Sequence, residues 1–286
     1  MNSDIEREAH ESKERKKNLI KAVEAIVIVT IVLVSGFLTY TTLFPSSQTS
    51  QTLKAAIVDH LSLKYPNDTF IQTCTSILMN AGFTVDYYES SKVTVEFYRN
   101  LPTYGYNLVV LRVHSITHEP EVANYTGLFT TELWGETRYA YERATDQILG
   151  AALIPYHEGD PIYFAITSEF VRLSMSGKFN STTIVMMGCS ALTYTDMAEA
   201  FIEKGAKVCI GWNGLVSNTH TDYATTQLLK HLITEKQVIG QATTKTNEEV
   251  GPDPESNSTL TYYPAEAENY TIPIAKNSLE SDTSGT

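Results

Sequence analysis

Ser181-Thr-Thr-Ile-Val-Met-Met-Gly-Cys-Ser190 holds four consecutive apolar residues, Ile184 to Met187, that stop at Gly188 and Cys189. A short apolar run with β-branched residues, closed by small ones, predicts a buried strand of a parallel sheet. Chemistry in open α/β sheets collects at the carboxyl ends of such strands. Cys189 lies at that end. Asn107-Leu-Val-Val-Leu-Arg-Val-His-Ser115 has the same form and ends in His114. If these strands are neighbours, a thiol and an imidazole stand side by side, the minimum for a cysteine nucleophile with a general base.

The composition narrows the rest. With 286 residues, 42% of them hydrophobic, the chain can bury one sizeable core. A net charge of −12 argues against a nucleic-acid partner, which calls for a basic face. The three cysteines, Cys74, Cys189 and Cys209, are too few and too odd for a disulfide framework. Cys74 and Cys209 sit among apolar residues and read as small buried hydrophobes. No Cys or His pair has zinc-ligand spacing, so no metal or other cofactor is expected.

Residues 25–44 contain no charge. Twenty residues at about 1.5 Å each span the roughly 30 Å hydrocarbon core of a bilayer. The run exceeds the usual signal-peptide core and no Ala-x-Ala site follows it, so a retained transmembrane helix is expected. Lys13, Arg15, Lys16, Lys17 and Lys21 precede it, while only Lys54 and Lys64 follow closely. That asymmetry places residues 1–24 in the cytoplasm and the remainder outside the cell. Asn67, Asn124, Asn180, Asn257 and Asn269 begin glycosylation sequons in this outer part.

Residues 45–54 read as a polar linker. From 55 to 250, strands and helices alternate: a strand at 55–59, a helix over 70–81, a strand at 83–88, a helix over 93–101 and then the His114 strand. Alternation of this kind predicts a parallel sheet with crossover helices. Residues 116–160 interrupt it with tyrosine-rich sequence and short strands or hairpins. Beyond them come a helix over 167–177, the Cys189 strand, a helix over 196–204 closed by Gly205, a strand at 207–212 and helices over 221–234 and 238–246. Residues 251–286 form a polar tail with an edge-strand candidate at 259–263, and 275–286 have a disordered composition.

The ordered pair, strand–His-Ser and then strand–Gly-Cys, resembles the caspase–gingipain–legumain superfamily of cysteine peptidases. The stretch beyond Cys189 is more specific. It runs through Asp196 to Gly205-Ala206, Val208-Cys-Ile-Gly-Trp212 and Asp222-Tyr-Ala-Thr225, and is similar to CHAT domains and their separase relatives. The resemblance implies a caspase-like three-layer α/β sandwich with a mainly parallel sheet. It implies Cys189 as nucleophile, His114 as general base, and the N–H groups near Ser115 and Cys189 as oxyanion donors. It also implies Asp222, with Trp212 as a pocket wall, as the group receiving a basic substrate side chain. The family usually has Gly after the His, whereas this chain has Ser115. His118, in His114-Ser-Ile-Thr-His118, is the alternative base; a Glu-Pro pair follows it, which reads as loop.

The leading expectation is a membrane-anchored, extracellular cysteine endopeptidase that cuts a peptide or protein substrate after Arg or Lys. The alternative is a catalytically inactive caspase-like binding module at the cell surface. A third, blander reading is a surface structural protein with an inert Cys189.

Overall fold

A computed structural model describes residues 52–118, 125–153 and 158–274, with only the backbone at His118, and a subset of residues between 19 and 36. The chain divides into two units, 1–51 and 52–286. In the first, the described residues are helical, and Val27, Val29, Ile31, Leu33 and Val34 each expose half or more of their surface. Among the described residues no helix is long and apolar enough to cross a membrane. Most of the span expected at 25–44 falls outside them.

The second unit is α/β. Its main sheet contains β1 (Leu53–Asp59), β2 (Phe83–Glu89), β3 (Leu108–Arg112), β8 (Thr183–Met186), β9 (Val208–Trp212) and β10 (Leu260–Tyr263), in the spatial order β10-β9-β8-β3-β1-β2. All neighbours are parallel except β10, which runs antiparallel to β9. Every residue of β3, β8 and β9 is buried, as befits parallel strands covered on both faces.

Strand periodicity sorts the core into two layers. Ile57, Val110, Val185 and Ile210 face one side. There they meet α1 (Asp68–Asn80), α6 (Asn218–Leu229) and α7 (Ile239–Val250) through Phe70, Cys74, Leu78, Leu228 and Ala242. Val58, Val109, Leu111, Ile184 and Met186 face the other side. They pack on α2 (Val95–Asn100), α4 (Ser168–Leu173) and α5 (Asp196–Glu203). The arrangement is consistent with a three-layer sandwich.

The helices form where the sequence supplies caps and stripes. The Asn67 side chain accepts the Phe70 N–H and starts α1, whose Phe70, Cys74 and Leu78 recur every four residues. Gly205 closes α5 at φ +102°, where a Cβ would lie 2.3 Å from the Phe179 carbonyl oxygen.

The interruption is a second, antiparallel sheet. It is built from β4 (Ser115–His118), β5 (Tyr125–Leu133), β6 (Ile148–Ala152) and β7 (Ile162–Ile166) in the order β4-β5-β7-β6, with a short helix α3 (Ala140–Ala144) inserted. His118 therefore ends a strand, which corrects its reading as a loop residue: Thr117 and His118 pair with Thr126 and Tyr125. The tail from 251 to 274 is folded onto the domain, with β10 as the edge strand expected there. Residues 275–286 lie outside the described set.

Candidate functional site

β8, β3 and β1 are consecutive neighbours, and each delivers one reactive side chain just past its carboxyl end: Cys189, His114 and His60. Cys189 and His114 line one cleft of about 990 Å³, together with Ser115, Lys64, Tyr65 and Val216. The sequence expectation that the thiol and the imidazole come to one place therefore agrees with the geometry.

Two contacts fix the turns that carry them. Ser115 Oγ donates to the Cys189 carbonyl oxygen at 2.5 Å. Opposite it, a Cβ on Gly188 would lie 2.2 Å from Ser115 Oγ and 2.6 Å from the Val113 carbonyl oxygen, so only glycine fits. Ser115 thus ties the two strand ends together through its hydroxyl. Just beyond Cys189, Ser190 holds φ +54°, uncommon for a residue with a Cβ, and its N–H donates to Gly214 O at 2.7 Å.

The amide groups nearby are arranged asymmetrically. Phe129 N–H donates to the His114 carbonyl, which makes Ser115 and Leu128 a non-hydrogen-bonded pair of the β4–β5 ladder. The Ser115 N–H accordingly points away from β5. Among the described residues, no acceptor holds the Cys189 N–H.

The Cys189 thiol donates to the Val216 carbonyl at 3.3 Å. Among the described residues, no hydrogen bond reaches either ring nitrogen of His114. The His114 ring is boxed by His60, Tyr65 and Phe129, with ring centroids 5.6, 6.1 and 5.9 Å away. Burial, with Lys64 and Arg112 nearby, pushes its pKa down to about 4. His114 is therefore a neutral imidazole at pH 7, and the same burial and positive neighbours disfavour its protonated form. Burial also raises the other two thiols: Cys74 is pushed up to about 12, and Cys209 is raised as well. Cys189 is the partly exposed cysteine of the three.

Asp222 and Trp212 are not brought to this cleft. Asp222 is 4% exposed, and its carboxylate accepts from Arg112 Nε and Nη2 at 2.8 Å each and from Asn67 Nδ2 at 2.8 Å. Arg112 also donates to Asp59 Oδ1 at 2.8 Å, so one guanidinium is shared between two buried carboxyl groups. Trp212 is core: its Nε1–H donates to Thr221 Oγ1 at 2.9 Å and its ring lies against His220. The carboxyl groups that do line the cleft are Asp160, Asp253 and Glu255. Of His118 only the backbone is described.

Reading by sequence missed His60 and the role of Arg112. His60 had a signal, since it follows an apolar strand just as His114 does. Arg112 had none, because its partners lie far away in sequence. Among the described residues no group of three or more His, Cys, Asp or Glu side chains could hold a metal ion. No family model matches the chain, and no curated protein matches it.

Proposed function

We propose that this protein is a cysteine endopeptidase of caspase-like type, held at the outer face of a membrane by its N-terminal segment. The observation that carries the reading is the placement of Cys189 and His114 on one cleft, at the ends of adjacent parallel strands. His114 takes the thiol proton as Sγ attacks the scissile carbonyl carbon. The resulting oxyanion is received by the Cys189 and Ser115 N–H groups. His114 then returns the proton to the leaving amine, and water, deprotonated by the same ring, hydrolyses the thioester. Because His114 is neutral and the thiol rests on Val216, proton transfer accompanies substrate attack instead of preceding it. A preference for Arg or Lys, in this reading, rests on the cleft carboxylate Glu255, since Asp222 is held by Arg112.

The thiol's bond to Val216 favours the second reading, a binding module that does not hydrolyse. One experiment separates the two. Full-length protein in detergent micelles is treated with a peptidyl acyloxymethyl ketone carrying Lys beside the reactive carbon, and adducts are mapped by mass spectrometry. Labelling of Cys189 alone, abolished in Cys189→Ala and strongly slowed in His114→Ala, with matching cleavage of Lys reporter peptides, is the expected result. An unlabelled Cys189 and uncut reporters would leave the binding module as the surviving reading.

A further inference from the structure

Three neighbouring strands, β8, β3 and β1, present Cys189, His114 and His60 in that spatial order. His60 has a defined tautomer. Its Nε2 lies 3.2 Å from the Thr130 carbonyl oxygen, and a carbonyl only accepts, so Nε2 carries the proton. Nδ1 is then a bare acceptor. It is buried and has no hydrogen-bond partner. Leaving a buried lone pair unmet is costly, which marks it as an acceptor awaiting a donor.

The donor at hand is His114. Its ring meets the His60 ring at 5.6 Å between centroids and at 79°, edge against face. An N–H···N bond of ordinary length between two imidazoles puts the centroids about 5 Å apart with the N–H along the acceptor's in-plane lone pair, so closing it takes an approach of about half an ångström and a turn of one ring out of the edge-to-face arrangement. His114 needs such an acceptor. Once it has taken the thiol proton, both of its nitrogens carry hydrogen. One of these is needed at the reacting atoms, and the other, beside the rings of Tyr65, Phe129 and His60, requires an acceptor.

We propose that His60 is a positioning residue for His114: its bare Nδ1 accepts the second ring N–H of His114, fixing the tautomer and the ring plane that take the proton from Cys189. The inference rests on the peptidase reading above. His60 itself is held neutral, with its pKa lowered to about 4 by burial and by the adjacent His114. It acts as a dipole acceptor where a carboxylate serves in other triads, and the imidazolium therefore forms transiently.

The test uses the same acyloxymethyl ketone on the full chain in micelles, with the maximal inactivation rate separated from probe affinity. His60→Phe keeps the ring and removes the acceptor. It is expected to lower the maximal rate about tenfold or more, leave affinity and melting temperature near wild type, and be largely rescued by His60→Gln, whose amide oxygen accepts. If His60→Phe does not fold, His60→Leu is read by the same criteria. A wild-type rate in the folded variant, with His114→Ala still inactive, overturns the role of His60 and leaves the Cys189–His114 pair standing. A rate lost equally in His60→Gln also overturns it, since the site then requires the imidazole for another reason. Wild-type labelling of His114→Ala removes the pair itself, and His60 with it.

Discussion

At the scale of single residues, the buried charge at Arg112 tests what local sequence cannot reveal. One guanidinium serves Asp59 and Asp222, all three being nearly inaccessible to water. Burial raises the Asp59 pKa, although Arg112 opposes the rise. Arg112→Met strands two carboxyl groups and is expected to cost about 3–5 kcal/mol in urea unfolding at pH 7. Asp59, whose pKa burial already raises, takes up a proton more readily once Arg112 is gone, so part of the deficit should be recovered as the pH falls. Asp222→Asn leaves Arg112 paired with Asp59. It should cost less and leave the ratio of Lys to Leu reporter cleavage unchanged, whereas a role for Asp222 in substrate recognition would collapse that ratio. The sequence placed Asp222 beside the substrate by analogy alone, and nothing local reports that its partner stands 110 positions earlier. Cys189 and His114 were legible because each follows a short, mainly apolar run, which Arg112 alone interrupts on the His114 strand. Gly188→Ala would push a methyl into Ser115 and Val113, and about 1–3 kcal/mol of lost stability is expected. Tm measurement checks that value.

At the scale of elements, the main sheet was legible strand by strand, whereas of the second only the presence of short strands or hairpins within 116–160 was. Strands covered on both faces, such as β3 and β8, are apolar throughout and stand out from their surroundings. β5 and β7 mix buried and accessible positions, and β5 changes register between Phe129 and Leu133, so neither holds a clean two-residue period. The segment carrying Val216 depends on an acid-labile anchor. The Asp253 carboxylate receives the Ser217, Glu255 and Ser256 N–H groups. Burial raises its pKa, but these bonds outweigh that and hold it at about 2, below its ordinary 3.8. A depressed folded-state pKa contributes stability above the ordinary value and loses it as pH falls through the lowered one. The difference in melting temperature between wild type and Asp253→Asn should therefore be full at pH 5 and shrink steadily between pH 3.8 and 2.

At the scale of the whole molecule, the chain divides after residue 51, and the tether proposed above would lie in the first unit. The aliphatic residues described between Val27 and Val34 are exposed, and the proposed tether would set them against lipid. Full-length protein is expected to remain in the membrane pellet after alkaline carbonate extraction, and protein lacking residues 1–51 to appear in the supernatant. Release of both would remove the tether. Ser115 bears on how the enzyme proposed here is turned on. Its hydroxyl joins the Cys189 turn to the His114 turn, so the two strand ends are tied by a direct hydrogen bond. Val216, which grips the thiol, belongs to the opposite wall. That wall hangs from the tail through Asp253 and through Asn213, whose N–H donates to Thr259 O. In the enzyme proposed here, a pull on residues 251–259 is therefore expected to loosen the hold on sulfur while the Ser115 bond keeps the two strand ends joined.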